Sequence, residues 1–368
     1  MRLVITGGGT GGHIYPALAV ALKLKKRGWE ILYMGSANSL EENIALEWDL
    51  DFKAVDVAPL KRKITPKILS TIITNIKGIY QSRKIIKNFK SDVVFGTGGF
   101  VAGPVVLAGY LSSIPTIIHE QNVYPGLTNR LLSKVVNKIA LNFIDAQKYF
   151  SNRVRDKITL TGNPVRDIIL KTKKSEGIKY FNFSSKKKTI LIFGGSQGSR
   201  SINEAVYDLY PFIIDSNDLQ LIHITGKNNF KSYTKFLKNK GINYKKAANI
   251  KVMPYLKHME YAYAITDLVI GRAGATGISE ITAKGLASIL IPYPFATGNH
   301  QMYNAKNLEN HGAAELIKES ELNSERILDR LKNIIYDQDL LMNMKKRSLE
   351  LGHTDSTEKI IKEIKNLL

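Results

Sequence analysis

Six residues of buried-strand character, Met1–Thr6, run straight into Gly7-Gly8-Gly9-Thr10-Gly11-Gly12-His13, and then into the helix-forming run Pro16-Ala17-Leu18-Ala19-Val20-Ala21-Leu22. Few folds accept that order. A strand, a glycine-rich turn and a helix N-terminus make an anion site, because the first amides of a helix lack partners and its dipole favours negative charge. Glycine suits the turn because it takes positive φ and lets a phosphate approach the backbone.

The pattern recurs. Thr189–Phe193 reads as a strand and is followed by Gly194-Gly195-Ser196-Gln197-Gly198-Ser199. Between the two copies, strands and helices alternate. Glu30–Met34, Phe52–Val57, Asp92–Phe95, Pro115–His119, Lys138–Leu141 and Ile158–Leu160 read as further strands of a first set. Leu221–Ile224, Ile250–Val252, Leu268–Ile270 and Ser288–Ile291 continue the second. Such alternation predicts an α/β chain with parallel sheets covered on both faces. At 368 residues, two domains are expected. Lys171–Lys188 is rich in Lys and Ser and lacks an apolar period, and the linker is expected around Asn163–Lys174. Ligands of such sheets bind at the carboxyl ends of the strands, so the expectation is two Rossmann-like domains facing a central cleft.

The formal net charge of +21 asks for an anionic partner: nucleic acid, anionic lipid or a phosphorylated substrate. The absence of cysteine excludes disulfides and thiolate metal ligands. The strand pattern begins at residue 2, so no signal peptide is expected ahead of it. The best apolar run, Val101 to Leu111, is too short to span a membrane and carries glycines and a proline.

Several motifs have rival readings. Gly7-x-Gly9-x-x-Gly12 matches a dinucleotide fingerprint, but the end of the second strand offers Gly35-Ser36 where an acid for the ribose is wanted. Gly194-x-Ser196-x-Gly198, with Asp267 and His300 downstream, matches the chain order of a serine hydrolase. That reading leaves the first half unexplained. Asp49-Leu50-Asp51 reads as solvated surface, and no His/Asp/Glu cluster has metal-ligand spacing. His13 follows two glycines at a helix N-terminus, where the dipole favours neutral imidazole, able to take a proton from a hydroxyl. Pro59–Lys90 holds nine Lys/Arg and no acid, with Ile68, Leu69, Ile72, Ile73, Ile76 and Ile79 at helical spacing. It reads either as an amphipathic helix with a solvated basic face or as a surface for anionic lipid. Tyr80 and Phe89 are too few to stack bases, which argues against nucleic acid.

A wider set of residues resembles one family. Thr6 to Ala17, Gly96-Thr97-Gly98-Gly99-Phe100, Gly103-Pro104, His119-Glu120-Gln121-Asn122, Pro125-Gly126-Leu127-Thr128-Asn129 and Gly162-Asn163-Pro164-Val165-Arg166 come first. Gly194 to Gly198, Arg272-Ala273-Gly274-Ala275, Ser279-Glu280, His300-Gln301 and Asn304-Ala305 follow in order. Together they resemble the MurG family, the N-acetylglucosaminyltransferases of peptidoglycan synthesis, across nearly the full chain. The resemblance implies a GT-B fold, with an acceptor domain over residues 1–163, a UDP-sugar domain over 164–350, and a helix over 351–368 returning to the first domain. It implies inverting transfer of N-acetylglucosamine from UDP-N-acetylglucosamine to the 4-hydroxyl of the muramyl sugar of lipid I, with neither cofactor nor acidic metal site. A UDP-N-acetylglucosamine epimerase on a soluble substrate is the alternative of similar fold.

By the same resemblance, Glu280 would hydrogen-bond the ribose. Ser196 would contact the diphosphate, with Ala275, Thr276, Gly277, Ile278 and Ser279 lining the other side. Leu256 would lie by the uracil, and Gln301 and Asn122 would read sugar hydroxyls. Arg166 matches a donor-site position. Thr10, Gly11 and Gly12 also match donor positions, although an anion turn there could equally hold the acceptor pyrophosphate. His13 and Glu120 are the two candidates for general base. Gly277 stands where the family often has Thr or Ser, and Ser199 where Ala is common. A peripheral enzyme at the cytoplasmic face of an anionic membrane is implied, with divisome or cell-wall synthesis proteins as partners.

Overall fold

The computed structural model describes residues 1–59, 68–195 and 197–368, with the side chain of Ile68 also outside the description. The chain divides into two compact units, Met1–Val165 with His353–Leu368, and Arg166–Gly352.

The first unit is built on seven strands: β1 (Arg2–Thr6), β2 (Glu30–Gly35), β3 (Asp51–Ala54), β4 (Val93–Gly96), β5 (Thr116–Glu120), β6 (Lys138–Leu141) and β7 (Ile158–Leu160). Every pairing is parallel, in the order β3-β2-β1-β4-β5-β6-β7. Strands buried on both faces read as continuous apolar runs, as β1 and β4 do. Side chains alternate between faces. Leu3, Ile5, Val93 and Phe95 pack with Ile14, Leu18 and Ala21 of the helix Gly11–Lys25, while Val4 and Val94 join Val105 and Val106 on the other side. The last helix, Ser356–Lys365, seals the first of these faces with Ile360, Ile361 and Ile364, each worth about 2 kcal/mol of apolar burial. The strand expected over Phe52–Val57 is shorter and earlier, because β3 is an edge strand whose ladder has only β2 as partner.

The second unit repeats the scheme with β8 (Lys188–Phe193), β9 (Leu219–Ile224), β10 (Ile250–Met253), β11 (Leu268–Gly271), β12 (Ala287–Leu290) and β13 (Ala314–Leu316), ordered β10-β9-β8-β11-β12-β13 and again parallel. Two features depart from the sequence reading. β13 is an additional edge strand of three residues, too short to show a period. Lys174–Phe181, expected to be irregular, is a helix. Its contact with the helix Met259–Ile265 is made by Gly177, placed where a Cβ would lie 2.4 Å from the Tyr261 carbonyl, and by Tyr180 stacked on Tyr261 at 4.5 Å. A glycine and an aromatic ring carry the packing, so no aliphatic period marks it.

In both sheets the first strand lies inside, between the strand that follows it and one from later in the chain. Connections leave in opposite directions there, which opens a crevice at the carboxyl ends. The turns after β1 and β4 meet at that point in the first unit, and those after β8 and β11 in the second.

Candidate functional site

In the first unit, the helix Gly11–Lys25 starts at Thr10 with neither a side-chain cap nor an acid in its first turn. Elsewhere Ser39, Asn323 and Asp337 do cap their helices. An uncapped N-terminus keeps its dipole for an external anion. The preceding glycines are clamped from beneath. The buried Glu41 accepts from Gly9 N at 3.3 Å and from Ser36 N at 3.3 Å, and the Tyr33 hydroxyl donates to the Gly7 carbonyl. Thr10, Gly11 and Gly12 lie just past that clamp. Glu41 is missed by looking for an acid at the end of β2, because the next helix supplies it, and it points inward under the turn instead of outward to a ribose.

His13 is half-buried, and its Nδ1 lies 3.0 Å from the Thr97 carbonyl and 3.1 Å from Gln121 Oε1. Glu120 closes β5 and is buried. One of its oxygens accepts from the Asn122 backbone at 3.0 Å and side-chain amide at 3.2 Å; the other accepts from Gly126 N at 3.0 Å and Asn129 Nδ2 at 2.8 Å. His13, Glu120 and Asn122 thus belong to adjoining turns at the carboxyl ends of β1 and β5. Gln121 and Asn129 complete this network, although the sequence reading assigned neither a role.

In the second unit, Ser196 lies outside the described residues. Gly198 holds φ +74°, and a Cβ there would lie 2.2 Å from the Thr225 carbonyl, so the turn after β8 sits tightly on the turn after β9. The buried Arg272 guanidinium, just past β11, donates to Ser199 Oγ at 2.7 Å, Ser201 Oγ at 3.1 Å and the Ile291 carbonyl at 3.1 Å, and pairs with Glu319. It ties the helix start after the glycine turn to β11. The helix Ala275–Ala283 begins at Gly274 with no side-chain cap and no acid in its first turn. Ala275, Ile278 and Ser279 are buried, Thr276 and Gly277 half-exposed, and Ser279 Oγ donates back to the Ala275 carbonyl at 2.8 Å. A Cβ on Gly277 would meet only the Phe193 ring, at 3.8 Å, so a larger residue has room there.

Two residues expected in the site come together. Arg166 Nη2 lies 3.6 Å from Glu280 Oε1, and the buried Tyr263 hydroxyl also bonds this carboxylate. Burial holds the Glu280 carboxyl above its usual range, and Arg166 offsets only part of that rise. Leu256 is buried, and Gln301 Oε1 accepts from Tyr293 N at 3.0 Å.

The hydrolase order does not assemble. Asp267 accepts from Thr189 N at 2.9 Å and from Lys345 at 2.6 Å, at the amino end of β8, about 13 Å of strand from the glycine turn. Asp49 is exposed and paired with Lys25 at 2.7 Å, whose hydrogen bond holds the carboxyl below its usual range.

Two glycine-turn sheets, with the helices Gly11–Lys25 and Ala275–Ala283 starting without a side-chain cap, make a scaffold suited to phosphorylated ligands. Residues 3–141 match the glycosyltransferase family 28 N-terminal domain and residues 189–364 the glycosyltransferase family 28 C-terminal domain; the chain belongs to glycosyltransferase family 28. It is 51% identical over 352 residues (96% of this chain, 95% of the relative) to the UDP-N-acetylglucosamine--N-acetylmuramyl-(pentapeptide) pyrophosphoryl-undecaprenol N-acetylglucosamine transferase of Halothermothrix orenii. The enzyme of that name from Bacillus subtilis is 41% identical over 370 residues, covering 100% of this chain and 99% of its own. Among solved structures, MurG of Acinetobacter baumannii superposes with a TM-score of 0.76 at 28% identity over 99% of each chain. The UDP-GlcNAc 2-epimerase of Neisseria meningitidis shares the fold, with a TM-score of 0.68 at 13% identity over the whole of both chains.

Proposed function

We propose that the chain transfers N-acetylglucosamine from UDP-N-acetylglucosamine to the muramyl 4-hydroxyl of undecaprenyl-pyrophosphoryl-linked MurNAc-pentapeptide, the lipid I to lipid II step of cell-wall synthesis. The observation that carries this reading is the 51% identity to a transferase of that name along 96% of the chain. The epimerases match in fold alone, so the soluble-substrate alternative is disfavoured.

The acceptor oxygen forms a bond to the anomeric carbon as the bond to UDP breaks, with inversion. The hydroxyl proton passes to His13 Nε2, a step worth about 10²–10⁴-fold. Glu120, its oxygens engaged by four donors, orients Asn122 for a sugar hydroxyl. Glu280 accepts from the ribose hydroxyls. Amides at the start of the helix Ala275–Ala283, with the turn Gly194–Gly198, spread the charge of the departing diphosphate. Thr10, Gly11 and Gly12 hold a pyrophosphate at the other uncapped helix. Supplying UDP-N-acetylglucosamine with a lipid I analogue tests the whole assignment. UDP is released only when both are present, and release without acceptor, or epimerised sugar, rejects it.

Of the stretch 59–90, residues 60–67 lie outside the description, including four basic ones. The helix Ile68–Phe89 is described from Leu69 on. Ile86 faces the core and Ile79 packs on it, whereas Leu69, Ile72, Ile73 and Ile76 share an outward face, 42–64% exposed. No helix among the described residues is long and apolar enough to cross a membrane. That outward face supports a peripheral seat on an anionic bilayer at its cytoplasmic side, where divisome or cell-wall synthesis proteins would be met. Ile73→Ser with Ile76→Ser is expected to lower co-sedimentation with anionic vesicles at least about fivefold, while turnover of a short-chain soluble acceptor stays unchanged. Unaltered sedimentation would assign those isoleucines elsewhere.

A further inference from the structure

Beneath His13 runs a chain of hydrogen bonds whose protons can all be assigned. Carbonyl oxygens only accept. His119 is buried, with Nε2 2.9 Å from the Gly162 carbonyl, so the proton of its neutral ring sits on Nε2 and Nδ1 accepts. Burial lowers its pKa to about 4, which keeps that ring neutral at ordinary pH. Gln121 Nε2 lies 2.6 Å from the Thr97 carbonyl, 3.1 Å from His119 Nδ1 and 3.4 Å from the His119 carbonyl, all acceptors, so this atom is the amide nitrogen. Gln121 Oε1 is then fixed as the atom facing His13 Nδ1 at 3.1 Å, with the Thr97 carbonyl also 3.0 Å from that nitrogen. Both partners of His13 Nδ1 are acceptors. In the neutral ring the proton therefore sits there, and Nε2 carries the lone pair.

We propose that Gln121, itself oriented by His119 and the Gly162 carbonyl, is a positioning residue that holds His13 in the Nδ1–H tautomer and so presents Nε2 as the base. The proposal rests on the reading of His13 as general base and names what makes it competent. A histidine at a helix N-terminus is free to carry its proton on either nitrogen, and only one choice lets Nε2 take a proton. The chain makes that choice from the protein interior, without a carboxylate. A buried carboxylate in the same place would raise the ring's basicity and favour the charged form; an amide sets the tautomer and leaves the charge alone.

The test uses the full-length protein labelled with ¹⁵N-histidine, with the His13 signals identified by their loss in His13→Gln. In the wild type, His13 is expected in the Nδ1–H pattern. Gln121→Met, nearly isosteric, removes one of the two oxygens facing Nδ1 and leaves the Thr97 carbonyl; the Nε2–H pattern should then gain population. The kcat for transfer should fall about tenfold, the scale of one buried hydrogen bond, with KM for both substrates within about twofold. An Nε2–H wild type overturns the proposal, as does a Gln121→Met protein whose tautomer is unchanged, whatever its rate. The nuclear resonance readout does not depend on turnover. Full activity in His13→Ala with the expected tautomers would therefore remove His13 as the base while leaving its fixed tautomer standing.

Discussion

His13→Ala is expected to lower kcat for N-acetylglucosamine transfer by about 10²–10⁴-fold, with KM for UDP-N-acetylglucosamine within about threefold. The ring is half-buried and its contacts lie at one edge, on Thr97 and Gln121, so its removal costs little stability. The loss falls on the chemical step because the interaction exists only while the hydroxyl proton is moving. Glu120→Gln makes the sharpest comparison. That carboxylate accepts four N–H groups, and an amide nitrogen in place of either oxygen turns two of those contacts donor against donor. Glu120→Gln should therefore lower the melting temperature and disturb Asn122 in addition to slowing turnover, whereas His13→Ala should slow turnover alone. Steady-state kinetics beside thermal melts separates the two roles. Near-normal kcat in His13→Ala removes it as the base; a collapse of kcat in a fully stable Glu120→Gln transfers the role to that residue.

The sheets were legible in the sequence where strands are buried on both faces. β1, β4, β8 and β11 are apolar runs that end in glycine or run straight into it, and these four also place the glycine turns. Legibility failed where the physical cause is non-local. β13 is a strand because β12 lies beside it, and Ala314-Glu315-Leu316 carries no signal of its own. Lys174–Phe181 is a helix because another helix offers Tyr261 to Gly177 and Tyr180. The site followed the same division. Glycine turns and His13 could be read from local spacing. The roles of Glu41, Gln121 and Asn129 could not, because each is defined by a partner brought in by folding: Gly9 across 32 residues, Thr97 across 24 and His119 across 10. Glu120 was legible as a carboxylate at the carboxyl end of β5, but its four donors emerge only when β5 and the following loop close on it.

Gly99→Ala is expected to cost about 2–5 kcal/mol, the sum of left-handed strain and core overpacking. Gly99 holds φ +80°, and a Cβ there would lie 2.2 Å from the Gly8 carbonyl oxygen. Here the turn after β4 packs directly on the turn after β1, and the two also share the Gly8 N to Gly98 carbonyl contact at 3.4 Å. Retreat of Gly8 is blocked on its other side, where a Cβ would already meet Glu41 Oε1 at 2.6 Å. Gly28→Ala supplies the control. Its φ is also +80°, yet nothing lies within 4 Å of the added carbon. It carries the strain alone, about 1–2 kcal/mol. The difference between the two variants in chemical denaturation therefore measures the clash. Because Thr97, two residues before Gly99, supplies one of the carbonyls that hold His13, the fraction of Gly99→Ala that folds should also turn over more slowly than Gly28→Ala. Equal stability in the two variants would show that the turns after β1 and β4 can part without penalty, and the reason for glycine at position 99 would lie outside this contact.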